Sequence, residues 1–417
     1  MLFIYRSLIN FILILSPIII FFRLFKKKED IKRFREKFCS FSKKRIAGNL
    51  IWFHGASVGE LQSIVPILEI LEKDKKIKQI LITSNTLSSS KVINKLNLKK
   101  IVHQFFPIDT FYFSKKFLNY WRPSSAFFID SEIWPNMLDN LKYKNIPTAL
   151  INGRITKKTY NRWKSFSSFS KKNFSNFDLC LSSSNESKKY LLKLGAKKVK
   201  NLGNLKFAQS ENEKIIMQND LKKFIQSKKA WCASSTHQNE EITCGIIHKK
   251  LKKKYSNLIT IIIPRHIERS ESIQNELKKL NLKTQILNNK NKIDKKAEII
   301  IIESYGKTKS FYNICKNVFL GGSLINHGGQ NPLEATRFGC NVMHGPYVSN
   351  FTEIYKMLKR KKMSIQIKNE KNMINCLDNF LSKKSNFKNK QNELKKMGKK
   401  ILINFYKEIY LLTKNEI

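Results

Sequence analysis

The sequence predicts an α/β protein made of two parallel-sheet halves, and three observations carry that expectation. Short apolar, β-branched runs alternate with longer amphipathic stretches from about residue 48. The alternation stops near residue 208 and starts again near 230. At 417 residues the chain is long for one domain and ordinary for two.

In the first half the strand-like runs are NLIWFHG (49–55), IKQILITS (77–84), SAFFID (125–130), IPTALING (146–153) and FDLCLSSS (177–184). Between them lie helix-patterned stretches such as SSSKVINKLNLKK (88–100) and NESKKYLLKLGAKK (185–198). Short strands apolar on both faces, separated by helices, read as parallel βαβ units. The second set is AWCASS (230–235), LITIIIPRH (258–266), AEIIIIES (297–304), NVFLGGS (317–323) and NVMHGP (341–346). A polar stretch, 208–229, reads as a linker followed by a first helix. A Lys- and Asn-rich segment, 384–400, leads to a last amphipathic stretch, ILINFYKEIYLL. The expected division is an N-terminal segment 1–47, a Rossmann-like domain 48–208, and a second Rossmann-like domain 209–417 that includes the terminal helix. Such halves bind ligands at the carboxyl ends of their strands, here in the cleft between the two domains.

The N-terminus reads as a membrane anchor. LINFILILSPIIIFF (8–22) is almost pure hydrocarbon, and RLFKKKEDIKRFREKF follows at once. The run is short of the ~20 residues of an ordinary span, and Pro17 is expected to bend or break a helix there. A cleaved signal has its charge before the apolar run, whereas here most of it follows. The expectation is an uncleaved anchor, spanning or lying in the interface. Its Lys/Arg cluster then faces the anionic headgroups of the cytoplasmic leaflet.

There are 79 Lys and Arg against 31 Asp and Glu, a net charge of +48. Lysine is scattered along a chain also rich in Ile, Asn and Phe, so compositional bias explains most of that charge. The field still favours anionic partners. A membrane-tethered nucleic-acid-binding protein is one competing reading, but the charge is diffuse and no aromatic-basic RNA motif stands out. The seven cysteines form no Cys-x-x-Cys pair and read as buried free thiols.

The chemistry-bearing residues cluster at predicted strand ends. Glu60 stands in the first turn of the helix that follows NLIWFHG, just after Gly59. A carboxylate there serves as a general base, or simply complements the helix dipole, and the spacing leaves both readings open. Pro66 predicts a kink or a late start in that helix. Asp130 and Glu132 follow the next strand, in FFIDSEIWPNML, and suit either substrate binding or a solvated turn. Asn152 and Arg154 end another strand, with phosphate or carboxylate as natural partners, and Lys206 lies just before the linker. In the second half, SSTHQNEE begins with Ser234 and carries Ser235 and Thr236 at a strand end. Arg265 and His266 emerge after LITIIIP. FLGGSLINHGGQNPLEATRFG (319–339) places Gly322 and Ser323 before a helix opened by Asn331-Pro332, a pattern that reads as a phosphate cradle. Glu334, one turn in, suits ribose hydroxyls or the helix dipole.

There is no P-loop, no dinucleotide fingerprint and no His/Cys cluster with metal spacing. The sequence therefore predicts metal-independent transfer from a nucleotide-activated donor, with no cofactor.

Seven stretches in order, IWFHGASVGE, SEIWPNML, INGRITKKTY, GNLKFA, SSTHQNEE, PRHIER and GGSLINHGGQNPLEA, resemble the 3-deoxy-D-manno-octulosonic acid (Kdo) transferases, which attach Kdo to lipid A precursors. The resemblance covers nearly the whole chain. It implies a GT-B glycosyltransferase fold with an N-terminal anchor at the cytoplasmic face of the inner membrane. It implies an inverting mechanism, CMP-Kdo as donor substrate, and a lipid A precursor as acceptor, with no nucleic acid as partner. By similarity Glu60 is the catalytic base. Asp130 and Glu132 lie on the acceptor side, and Asn152, Arg154 and Lys206 are assigned with them. Ser235, Thr236, Arg265, His266, Gly322, Ser323, Asn331 and Glu334 lie on the donor side. Gly153, Asp130-Ser131, Lys307 and Gln330 depart from the family pattern. Another GT-B transferase, using a UDP-sugar, is the competing reading among enzymes.

Overall fold

Hydrogen-bonded strands form two seven-stranded sheets in a computed structural model that describes residues 1–209, 217–288, 291–383 and 387–414. The first sheet holds β1 (Asn49–His54), β2 (Ile77–Ser84), β3 (Ile101–Phe105), β4 (Ser125–Ile129), β5 (Thr148–Gly153), β6 (Leu179–Ser182) and β7 (Val199–Asn201). Their order is β3-β2-β1-β4-β5-β6-β7, and every pair is parallel. The second holds β8 (Lys229–Thr236), β9 (Leu258–Pro264), β10 (Thr284–Leu287), β11 (Ile299–Ile302), β12 (Asn317–Leu320), β13 (Asn341–His344) and β14 (Ser364–Gln366). Their order is β10-β11-β9-β8-β12-β13-β14, again parallel throughout.

Central strands are covered on both faces, as their apolar runs require. In β1, Trp52 packs with Phe117 and Phe128, while Phe53 stacks on Phe127 at 5.0 Å. In β9, Ile261 and Ile263 join one cluster and Ile262 another. Each such side chain contributes about 1.5–3 kcal/mol on burial. All seven cysteines are free, six of them buried.

The chain divides into two compact units, Met1–Ser210 with Met397–Ile417, and Glu211–Lys396. The terminal segment expected with the second half thus belongs to the first. It is the end of one long helix, Phe387–Lys414. Phe405 and Ile409, four residues apart on one stripe, are buried, and Glu408 pairs with Lys200 at 2.7 Å. Gly398 permits the approach, since a Cβ there would stand 2.3 Å from the Phe207 carbonyl oxygen. Part of the expected linker, 210–216, lies outside the described residues.

Two helices run through prolines that the sequence pattern takes as breaks. Helix α1 is continuous over Leu2–Phe25. Pro17 cannot donate to the Leu13 carbonyl, but the Ser16 hydroxyl donates to it instead at 2.6 Å. Helix α2, Val58–Glu72, starts at once behind its N-cap Ser57 and continues past Pro66. Among the described residues, α1 is the one helix long and apolar enough to cross a membrane.

Candidate active site

In an open parallel sheet, chemistry collects outside the carboxyl ends of the strands where the strand order reverses. In the first sheet that point lies between β1 and β4, and in the second between β8 and β12. Glu60 and Glu132 follow the first pair. Ser235 and Thr236 end β8, and Gly322 and Ser323 follow β12.

Glu60 is the third residue of α2. Its Oε2 accepts the Ala56 N–H at 2.7 Å and its Oε1 accepts the Ser57 hydroxyl at 2.8 Å. Ser57 Oγ accepts the Glu60 N–H in return, at 3.4 Å, which closes a capping pair around the turn. The helix-cap and base readings of Glu60 are therefore compatible. Burial, the negative charge of Glu132 and that of Asp130 push its pKa up to about 7, against the hydrogen bonds from Ser57 and Ala56. A carboxyl poised near 7 is matched to proton abstraction at neutral pH.

Glu132 is pinned in the opposite sense. Burial raises its pKa, but His54 and Trp134 outweigh that and hold it below the usual range. His54 Nε2 lies 3.2 Å from Glu132 Oε2, and the Trp134 indole N–H donates to the same oxygen at 2.9 Å. The carboxylate calls for a proton on Nε2. The other ring nitrogen, Nδ1, lies 2.9 Å from Thr83 Oγ1. That hydroxyl in turn accepts the Trp52 N–H at 2.9 Å. A chain Trp52–Thr83–His54 therefore orients the imidazole onto the Glu132 carboxylate. His54, Thr83 and Trp134 are missed as site residues by sequence reasoning. His54 and Trp134 lie inside quoted motifs, but Thr83 sits in an unremarkable strand.

Asp130 has φ +56 and Asn152 φ +54, both left-handed conformations that turn the chain sharply at the ends of β4 and β5. The Asn152 amide donates to Asp130 Oδ1, and Asn152 Oδ1 accepts the Leu205 N–H at 2.9 Å. Lys206 Nζ stands 3.9 Å from Asp130 Oδ2. Burial raises the Asp130 pKa although Lys206, Asn152 and Arg154 oppose it. The structure thus brings Glu60, Asp130, Glu132, Asn152, Arg154 and Lys206 into one electrostatic neighbourhood of the first unit.

In the second unit a cavity of about 280 Å³ opens beside β8, β9 and β12. Ser235, Arg265, Asn331, Glu334 and Gln330 line it, together with Ser304, Tyr305 and Thr308, which sequence reasoning did not place there. Ser235 has φ +54 and sits where the β8–β9 register shifts between Ser234 and Thr236. Asn331 Oδ1 accepts the Leu333 N–H at 3.1 Å. His266 is exposed and Thr236 buried, and neither lines the cavity. Lys307 lines a separate, smaller hollow of about 110 Å³.

The expected backbone cradle is occupied from within. Buried Glu240 accepts the N–H groups of Gly322 at 2.7 Å, Ser323 at 3.1 Å, Leu324 at 3.0 Å and His237 at 3.0 Å. The Ser323 hydroxyl donates to the Leu320 carbonyl and accepts the Gly345 N–H at 2.8 Å. Gly322 and Ser323 therefore shape the turn rather than line the cavity, and the following helix, Leu333–Arg337, is only five residues long. Above that turn three imidazoles gather. His237 lies 4.2 Å from His327 and 6.0 Å from His266 between ring centroids. Burial and these neighbours, with Arg265 and Arg269, push the His237 pKa down to about 4, so its ring is neutral at pH 7.

Two parallel-sheet α/β units, each with its polar groups at the reversal of strand order, define the GT-B class. Solved structures agree on the fold. A UDP-GlcNAc 2-epimerase from Neisseria meningitidis aligns over 88% of this chain and 100% of its own, at 14% identity and a TM-score of 0.58. One described as a putative UDP-N-acetylglucosamine 2-epimerase from Listeria monocytogenes covers 87% and 97%, at 12% identity and a TM-score of 0.60. Sequence relatives are more specific. The family model described as 3-Deoxy-D-manno-octulosonic-acid transferase (kdotransferase) matches residues 32–209. A 3-deoxy-D-manno-octulosonic acid transferase of Rickettsia bellii is 34% identical over 369 residues, 87% of each chain. That of Haemophilus influenzae is 31% identical over 317 residues, 74% of this chain and 73% of its own. The chain belongs to the Kdo transferase family.

Proposed function

We propose that this protein transfers Kdo from CMP-Kdo to a lipid A precursor in lipopolysaccharide synthesis, with inversion at the anomeric carbon. A hydroxyl of the acceptor attacks that carbon, the bond to the CMP phosphate breaks, and the proton passes to Glu60. The observation that carries this reading is the pair Glu60 and Glu132, one carboxyl near pH 7 and the other held ionised. Two carboxyls pushed apart in this way divide base and electrostatic roles. Asp130, Asn152, Arg154 and Lys206 position the acceptor side. Ser235, Arg265, Asn331 and Glu334 hold the nucleotide, with Thr236, His266, Gly322 and Ser323 shaping or flanking that site. No metal or cofactor is required. The protein acts at the cytoplasmic face of the inner membrane, attached through α1, where its net positive charge meets anionic headgroups and acceptor phosphates.

Detergent-solubilised protein incubated with tetraacylated lipid A precursor, Kdo, CTP and a CMP-Kdo synthetase tests the proposal, read by mass spectrometry of the lipid. A gain of one or more Kdo units, lost in Glu60→Ala, is the expected result. No gain from protein that is folded and protected by CMP would contradict the substrate assignment. Protection by UDP rather than CMP would favour a UDP-sugar transferase.

A further inference from the structure

Both ends of α1 are tied to the same globular unit. Near its start, the Tyr5 hydroxyl donates to buried Asp109 at 2.8 Å, and Arg6 donates to Asn136 at 2.9 Å and pairs with Asp139 at 3.3 Å. Near its end, Arg23 pairs with Glu29 at 2.6 Å. Glu29 is itself buried and also paired with Lys37 at 2.6 Å. Between these points one stripe faces the protein, including Ile9, Leu13, Ser16 and Ile20 at helical spacing. The rest is mostly bare hydrocarbon, with Ser7 and Asn10 its exposed polar residues. Phe3 is 80% exposed, Ile14 74% and Phe21 67%.

A helix of 24 residues is about 36 Å long, longer than the ~30 Å hydrocarbon core. To span, its two ends must reach opposite faces of the bilayer, but Tyr5 and Arg23 are held on one globular unit. We infer that α1 lies in the plane of the membrane as a one-leaflet attachment, with its outer face in the acyl layer and its inner stripe on the protein. So long an apolar face is far larger than a soluble monomer leaves to water. The exposed Lys26, Lys27 and Lys28 at its end fit anionic headgroups, which selects a lipid surface over a second protein. The latch at Asp109 and Asn136 abuts the helix Pro135–Tyr143, whose leading loop carries Glu132 and Trp134. In-plane α1 therefore fixes the height of the carboxylate site above the bilayer. This inference rests on the membrane attachment proposed above.

Single tryptophans placed on the outer face, Phe3→Trp, Phe11→Trp, Ile18→Trp and Phe25→Trp, test it in the full chain. They are bound to phosphatidylcholine/phosphatidylglycerol vesicles carrying bromines at a shallow or a deep acyl position. Quenching is read against the unaltered chain. The expected result is stronger quenching by the shallow bromines at all four sites, within about twofold of one another. Adding Tyr5→Phe with Arg6→Gln releases the latch and changes the depth at Phe3→Trp while leaving Phe25→Trp unaltered. Deep-bromine quenching that peaks at Phe11→Trp and falls toward both ends would show a spanning helix and overturn the inference, while membrane attachment stands. No quenching at any site would overturn both, and sedimentation would then show whether a second copy covers the face.

Discussion

Glu60 and Glu240 occupy matching places and do different things. Each stands in the first turn of the helix that follows its unit's first strand, β1 or β8. Glu60 accepts one backbone N–H and one hydroxyl, and has two other acids nearby. Glu240 is fully enclosed and accepts four backbone N–H groups. The first keeps a proton near neutrality and a path to a ligand. The second is spent on holding two loops together. An acid after a strand is thus read from what it satisfies, not from its place in the motif.

The largest effect expected from this contrast is catalytic. Glu60→Gln keeps the size of the side chain and removes the base. It should lower kcat for Kdo transfer by about 10³-fold, roughly 4 kcal/mol, with little loss of stability. Glu240→Gln should do the reverse. It leaves buried N–H groups facing an NH₂ or no acceptor, and should cost about 3 kcal/mol in urea unfolding, with activity falling through donor KM before kcat. Equal kcat losses from the two variants, at equal stability, would erase the distinction.

A smaller effect concerns tuning. Glu132→Gln removes a negative charge beside Glu60, so the midpoint of the kcat/KM–pH profile should move down by up to about one unit. A midpoint that does not move would place the cause in burial and Asp130. The sign for stability follows from the same shift. The folded pKa of Glu60, about 7, lies above its ordinary 4.5, so the folded state holds a proton the unfolded chain has released. Stability from this group is complete below about pH 4.5 and is lost as pH rises through 7. Glu60→Gln should therefore unfold at higher urea than the native chain at pH 8, and show no such gain at pH 4. The smallest effect is at the surface of the first unit. The Lys200–Glu408 pair is partly exposed, and Glu408→Gln should cost less than about 1 kcal/mol, because Phe405 and Ile409 hold that helix in place.

Legibility in the sequence followed burial. Every strand read from the sequence lies in the interior of a sheet. The four strands that escaped, β3, β7, β10 and β14, are the four edges. An edge strand is partly solvated, so it lacks the continuous apolar run that marks a strand covered on both faces. The burial of β7, which has no fully buried residue, shows why. Motif residues were legible because they sit at strand ends with polar side chains. Their supports were not, because Thr83 and Glu240 act through contacts between segments far apart in the chain. The terminal helix was assigned by order along the chain, whereas its buried stripe assigns it to the first unit.

The most direct test of the account is the pH dependence of kcat/KM for transfer to the lipid acceptor, measured with donor regenerated in place. The base reading predicts that activity rises with pH through a single midpoint near 7, in step with deprotonation of Glu60. A profile flat from pH 5 to pH 9 in the native chain, or one unchanged in shape in Glu60→Gln, would contradict it.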